Sequence, residues 1–315
     1  LSALGWSGQE EHFESPHYPL SVMETGSDIL FFWVARMSML CTALQSNGGL
    51  PSEQLPPFKQ IFLHPMVRDK TGRKMSKSLG NVIDPLHVIH GVSLSTLLKE
   101  LEEGNLGRKE IVRAKAQVKK EFPAGIEAMG PDALRFALSM YMKQGREINL
   151  DINTVKVARN LCNKMWQVSK FVLSHAKSVQ TGTCEDAKIV ASSLPCKWIM
   201  GRLASTIERC NHGFEHFDLA LSADAIRSFF LDDFCGVFVE TAKAQTSADQ
   251  IAENAGVLLV CLRNILLMFH PFMPFITEEL WGVVNQGASE SIMVSKFPCA
   301  DYFSSSADPS VGRQM

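Results

Sequence analysis

The sequence lacks most of the marks that sort a protein quickly. It has no excess of positive charge: 31 Lys and Arg stand against 33 Asp and Glu, a net charge of −2. Dedicated nucleic-acid modules are usually strongly basic, so any polyanion must be met by local patches. Close-set cysteines are also missing. Eight cysteines occur (Cys41, Cys162, Cys184, Cys196, Cys210, Cys235, Cys261 and Cys299), and none forms a CxxC pair of the zinc or redox kind. Thiols scattered this way read as small, buried, reduced apolar residues, which favours the cytosol or an organelle matrix over secretion. There is no long uninterrupted apolar run. Residues 257–269 come nearest, but Arg263 and Asn264 break them, and the stretch is too short to span a bilayer. A buried helix is expected there. The N-terminal residues hold Gln9, Glu10, Glu11 and Glu14 and no apolar stretch, so they do not read as a signal peptide. What is plentiful is core material. With 46% hydrophobic and 20% charged residues, disorder is excluded, and 315 residues suffice for two domains.

The front of the chain alternates in type. Residues 20–24 form a short apolar run, and Thr25-Gly26 ends it. Ser27 or Asp28 can cap a helix over 29–43. Gly48, Gly49, Pro51, Pro56 and Pro57 then break the chain before a second strand-like run at 60–67. Strand, helix, strand is the order of a βαβ unit with parallel strands. Residues 68–81 read as a charged loop, and Asp84-Pro85 starts a short helix. Residues 91–129 have the character of an inserted, surface-carried piece, with helical leucine spacing and then a basic stretch. A helix is expected from Gly130-Pro131-Asp132 onward. Beyond Leu150 the chain reads as helical to about residue 283, with a Ser/Thr/Ala-rich linker at 176–195 and breaks at Pro271 and Pro274. The expected fold class is α/β followed by all-α.

The chemistry concentrates in the loop Asp69-Lys70-Thr71-Gly72-Arg73-Lys74-Met75-Ser76-Lys77-Ser78-Leu79-Gly80-Asn81. Arg68, Lys70, Arg73, Lys74 and Lys77 crowd into it with a single acid. Lys74 and Lys77 are three apart, so in a turn both can face one target. Ser76 and Ser78 add hydroxyl donors. Such a loop suits a clamp on a polyphosphate, where positive charge meets the charge that develops during displacement at phosphorus.

The string Lys-Met-Ser-Lys-Ser at 74–78, followed by Leu-Gly-Asn-Val-Ile-Asp-Pro at 79–85, resembles the signature of class I aminoacyl-tRNA synthetases. The stretch Glu24-Thr25-Gly26-Ser27-Asp28-Ile29-Leu30-Phe31-Phe32-Trp33-Val34-Ala35-Arg36-Met37 resembles the valyl-tRNA synthetases in particular. So do His64-Pro65-Met66-Val67-Arg68-Asp69, Phe122-Pro123-Ala124-Gly125-Ile126 and the run from Arg159-Asn160-Leu161-Cys162-Asn163-Lys164-Met165 to Trp166. The piece at 91–129 resembles the eukaryotic form of that family.

The resemblance implies a division of labour. Residues 1–150 would be the C-terminal half of a Rossmann-type catalytic domain, residues 151–283 a helical-bundle anticodon-binding domain, and 284–315 a tail. The implied reaction joins valine to ATP as valyl-adenylate, then moves the valyl group to tRNA(Val). ATP would enter with Mg2+ as a substrate, and no structural metal or membrane is implied. His87 and His90 are three apart but have no third ligand nearby in sequence. Lys77 would neutralise the ATP phosphates, Lys74 would support it, and Ser76 would join them in the catalytic loop. The backbone around Met75 would lie near the adenine, and Thr25, Gly26 and Asp28 by the adenylate. Trp33 and His64 would wall the pocket, although a helix Trp also reads as packing and His64 as structural. Arg159, Asn160, Asn163 and Lys164 would meet the anticodon, or form a solvated helix face. No general base is implied, because the amino acid's own carboxylate is the nucleophile.

The sequence departs from the family in three ways. It has no His-x-Gly-His string, no editing domain and no C-terminal basic coiled coil. The chain is therefore expected to be the C-terminal part of a longer enzyme, and to activate valine poorly alone. Two alternatives stand beside this: a non-catalytic RNA-binding protein derived from a synthetase, and an isoleucyl-type fragment. Cytoplasm is expected, or else the mitochondrial matrix.

Overall fold

The computed structural model describes residues 19–47, 56–76, 79–104, 106–142, 147–178, 191–285 and 290–300. The chain divides into two compact units: residues 1–66 with 144–147, and residues 67–143 with 148–315.

The first unit holds the expected strand–helix–strand. Strand β1 (Leu20–Gly26) pairs in parallel with β2 (Phe58–His64), and the register sets Thr25 opposite Leu63 and Gly26 opposite His64. Between them a π-type turn (Leu30–Ala35) runs into helix α1 (Arg36–Asn47). Neither Ser27 nor Asp28 supplies the expected cap. The N-cap is Ile29, and no side chain caps it. The Gly26 carbonyl accepts from the Ile29 N–H at 3.2 Å instead, so the chain turns on its backbone. The wide first turn buries Val34 and leaves Phe31, Phe32 and Trp33 largely in the open, with Trp33 half exposed.

The second unit begins with β3 (Val67–Arg68), which pairs in parallel with β4 (Ile148–Asn149). Three short helices follow β3. In α2 (Pro85–His90), Asp84 caps the start and accepts from the Leu86 N–H at 2.8 Å, with Pro85 in the first turn. Helices α3 (Leu94–Glu103) and α4 (Arg108–Glu121) make a hairpin over the region read as inserted. No residue of α3 is buried and only Ala114 is buried in α4, as befits a surface element.

Helix α5 (Pro131–Ser139) leads into the bundle: α6 (Ile152–Ser178), α7 (Leu194–Glu215), α8 (Leu219–Ser228), α9 (Val239–Ala244), α10 (Ala248–Phe269) and α11 (Pro274–Val284). The expected single helix from Leu219 to Lys243 contains a π-type stretch, Phe229–Phe238. Phe230, Phe234 and Phe238 recur every fourth residue, and the looser winding aligns them as a buried column with ring centroids 6.5 and 6.4 Å apart. The break expected at Pro271 and Pro274 separates α10 from α11. Asp132 and Arg135 of α5 seize that break. The Asp132 carboxylate accepts from the Phe275 and Ile276 N–H groups at 3.2 and 2.7 Å. Arg135 donates to the carbonyls of Pro271 and Phe272 at 3.0 and 3.1 Å. These bonds satisfy backbone groups that a broken helix leaves unpaired.

Helix α10 starts nine residues before the apolar run at 257–269, and its 22 residues are long and apolar enough to cross a bilayer. Shortness is therefore no argument against a span. Burial is: Val257, Leu258, Leu262, Ile265 and Leu266 are fully enclosed in the bundle core.

The thiols follow the burial. Cys196, Cys210, Cys235 and Cys261 are buried, and Cys299 is exposed. Burial pushes the Cys196 thiol up to about 11 and those of Cys210 and Cys235 up to about 12. Among the described thiols, a reagent should modify Cys299 well before these buried four, which it reaches only on unfolding, since the thiolate is the reactive form. Timed labelling with peptide mapping checks this; early modification of Cys210 or Cys261 would contradict it.

Candidate functional site

The residues expected beside the adenylate all belong to the first unit. The parallel strands β1 and β2 end at Gly26 and His64, the end at which open parallel sheets bind ligands. Thr25 is buried, and Glu24 and His64 pair side chain to side chain across the two strands. The backbone at Gly26 is closely surrounded. A Cβ there would lie 2.9 Å from Asp28 Oδ1, 3.2 Å from Met66 Sδ and 3.4 Å from His64 Nε2. The sequence therefore brings Thr25, Gly26, Asp28 and His64 into one patch. Trp33, half exposed, is not core packing.

The signature loop belongs to the second unit. It leaves β3 and folds back on it through a bridge between Arg68 and Lys74. The tight turn Asp69-Lys70-Thr71-Gly72 closes with the Gly72 N–H on the Asp69 carbonyl at 2.9 Å and the Asp69 N–H on the Arg73 carbonyl at 2.9 Å. The buried Asp69 carboxylate is the hub. Its Oδ1 accepts from the Thr71 N–H (2.9 Å), the Thr71 hydroxyl (2.7 Å) and the Arg73 N–H (2.9 Å). Its Oδ2 accepts from Arg73 Nε (2.9 Å) and Asn81 Nδ2 (3.0 Å). Burial works against its charge, but the hydrogen bonds from Thr71, Asn81 and Arg73 prevail and hold the carboxyl well below the usual carboxylate range. Asn81 closes the loop from its far end: its Oδ1 accepts from the Ser76 N–H at 3.0 Å, and its Nδ2 also reaches the Lys74 carbonyl at 3.3 Å.

This geometry sorts the loop's cations. Arg73 is bonded to Asp69, Lys70 pairs with Asp151 at 3.0 Å, and Arg68 donates to the Gly72 carbonyl at 3.3 Å. These three hold the loop and its root. Lys74 lies on an exposed position beside Met75, which packs partly into the bundle core. Lys77 and Ser78 lie outside the described residues. Sequence reasoning missed Asp69 and Asn81 as the residues that shape the loop. The Asp-x-Thr-Gly turn was a readable signal for Asp69; Asn81 had none.

On α6 the expected anticodon residues separate. Arg159 and Lys156 both turn to Glu127, at 3.5 and 3.4 Å. Asn160 and Lys164 instead line a mostly apolar cavity of about 220 Å³ with Arg227. Asn163 is exposed.

A family model for class I tRNA synthetases (I, L, M and V) matches residues 1–151, and one for the anticodon-binding domain of tRNA ligases matches residues 196–312. The chain belongs to the class I tRNA synthetases. Within that family its relatives are named for valine. It is 45% identical over 304 residues to the valine–tRNA ligase of Homo sapiens, covering 95% of this chain and 23% of that protein. It is 40% identical over 339 residues to the probable mitochondrial valine–tRNA ligase of Dictyostelium discoideum, covering 96% of this chain and 32% of that protein. The chain thus spans 23% and 32% of the length of these two relatives. A ternary LeuRS–tRNA–LeuAMS complex from Agrobacterium radiobacter K84 shares the fold, with a TM-score of 0.63 at 21% identity over 90% of this chain and 29% of that one. For this synthetase chain, the α/β front and helical back are therefore the family's own architecture.

Proposed function

We propose that this chain is the part of a valine–tRNA ligase that carries the signature loop, the adenylate-side strand and helix, and the anticodon-binding bundle. The Lys-Met-Ser-Lys-Ser string, in a loop whose described residues gather on Asp69 and Asn81, is the observation that carries the reading. Residues 1–150 are the catalytic portion, residues 151–283 the helical anticodon-binding domain and residues 284–315 a tail.

In the reaction, the valine carboxylate attacks the α-phosphorus of ATP, and the bond to pyrophosphate breaks. ATP enters as its Mg2+ complex. Lys77, with Lys74 and the Ser76 region, meets the negative charge that builds on the phosphates, where fixed charge lowers the barrier most. Thr25, Gly26 and Asp28 lie against the adenylate, Met75 marks the adenine side, and Trp33 and His64 form the wall. The close approach of Asp28 and His64 to Gly26 supports this reading, because it gathers their polar groups at the strand ends. The valyl group then passes to tRNA(Val). The compartment is the cytoplasm or the mitochondrial matrix; the Dictyostelium relative is named mitochondrial and the human one carries no such word.

The test is a graft in which this chain replaces the matching segment of the human relative. Valine-dependent ATP–pyrophosphate exchange by the graft supports the proposal. Loss of exchange in a graft that still folds opposes it.

Anticodon contact is expected on α6, where Asn163 is exposed, Asn160 and Lys164 are exposed at the edge of their cavity, and Arg159 makes its ion pair. Binding of tRNA to the chain should weaken by about 10- to 100-fold between 50 and 200 mM salt, as roughly three released counterions require. Lys164→Ala should lower the salt slope by about one. Fluorescence anisotropy at several salt concentrations measures both, and a flat profile would refute the contact.

A further inference from the structure

Among the described residues the α3–α4 hairpin touches the signature loop at two points, and nothing in the proposed reaction uses it. It is firmly rooted. The Val92 and Ile126 backbones bond to each other in both directions at 2.8 and 2.9 Å, closing its base, and Lys115 of α4 pairs with Glu102 of α3. The first contact is steric. Gly80, with φ of +63°, sits so close to the hairpin that a Cβ would lie 2.9 Å from Leu106 Cδ1 and 3.2 Å from both Leu101 Cδ2 and Ala114 Cβ. The second is polar. Gln117 Oε1 of α4 accepts from Arg73 Nη2 at 2.9 Å. The same guanidinium donates through Nε to Asp69, the hub of the loop. A third tie follows just behind the loop, where His87 of α2 meets Glu100 of α3 at 3.2 Å.

We propose that the α3–α4 hairpin is a brace that sets the resting position of the Lys-Met-Ser-Lys-Ser loop, with Gln117 as its positioning residue acting through Arg73. Arg73 is gripped from both sides, by Asp69 within the loop and by Gln117 on the brace. The Asp69 bond shapes the loop, and the Gln117 bond tells it where to stand. Between loop and brace lies a small cavity of about 60 Å³, bordered by Asp69, Asn81, Gln117 and Val118. The contact is therefore a point attachment beside a gap rather than continuous packing. A loop held at points can shift when a polyphosphate draws its lysines, and the brace biases the position it leaves. This inference rests on the reading of the loop as a polyphosphate clamp.

Hydrogen–deuterium exchange on the full chain tests it, followed in peptides covering 69–81, 108–121 and 248–269. Gln117→Ala removes the acceptor while raising helix propensity in α4, so the helix persists. Losing one hydrogen bond to a charged group should speed exchange in 69–81 by about two- to fivefold, with the other two peptides unchanged. Gln117→Glu keeps an acceptor for Arg73 and should restore the slow exchange. A residue that merely stabilised α4 would move the 108–121 peptide instead, and that result would overturn the proposal. So would unchanged exchange in 69–81, or a Glu variant as fast as the Ala variant. Inorganic tripolyphosphate provides the separate check on the clamp. It should slow exchange at 69–81 in the wild-type chain; if it does not, the clamp reading falls, while the two Gln117 variants still decide the brace.

Discussion

An Asp69→Ala variant of the graft should lose about 10²-fold in valine-dependent ATP–pyrophosphate exchange, although Asp69 is not expected to touch substrate. The reason is positioning. Five donors converge on this one carboxylate, from Thr71, Arg73 and Asn81. Removing it leaves the Arg73 guanidinium without its main partner and frees Asn81, the residue that holds Ser76 and Lys74 in place. Displacements of about an ångström at a reacting centre cost rate on this scale. Asp69→Asn is the discriminating control. It keeps the shape but places an amide group among donors, so it should fall between wild type and alanine. Acid should not mimic either variant at moderate pH. The Asp69 carboxyl is held below its unfolded value, so its contribution is fully present above the unfolded value near 4 and fades only as pH falls below that. Exchange in the 69–81 peptide, corrected for its intrinsic pH dependence, should be the same at pH 7 and pH 5. A loop that opens between those values would show that the carboxylate is not the hub.

Lys77→Ala should cost more, about 10²- to 10³-fold, the range found when one group that stabilises transition-state charge is removed. Lys77 is the second lysine of the signature string, the position that the family resemblance sets against the ATP phosphates, whereas Arg68, Lys70 and Arg73 serve the loop's root and hub. If Lys77 acts on charge that develops only as the α-phosphorus is attacked, kcat and kcat/KM for ATP fall together. If it only binds ground-state ATP, KM rises and kcat holds. Lys74→Ala should show the milder loss of a supporting group, about 10-fold. Steady-state exchange kinetics over a range of ATP concentrations separate these outcomes. A Lys77 variant within a factor of two of wild type would remove the loop from the chemistry.

The elements of this protein were largely legible because each is written locally. Apolar runs bounded by Gly and Pro mark β1 and β2, and the pair Pro271 and Pro274 marks the break before α11. What escaped is what depends on distance along the chain. Asn81 meets Asp69 across 12 residues and Gln117 meets Arg73 across 44, and no periodicity announces either. The cap expected from Ser27 or Asp28 failed because the Gly26 carbonyl takes the first turn and a wider winding follows. Spacing singled out Lys74 and Lys77 among the five loop cations, but it shows charge and not the partners that Arg68, Lys70 and Arg73 take. On α6, Arg159 and Asn160 are neighbours in sequence, yet one turns to Glu127 and the other lines a cavity with Lys164. A residue offset of one on a helix rotates the side chain by more than a quarter turn.

The central claim is that this chain supplies the working loop and adenylate face of a valine-activating enzyme. Amino-acid-dependent ATP–pyrophosphate exchange by the graft, run in parallel with valine, isoleucine and leucine, tests it most directly. The account predicts exchange that depends on valine, is weak with the other two, and collapses in the Lys77→Ala graft. Exchange driven equally by isoleucine, or unaffected by Lys77→Ala, would contradict it.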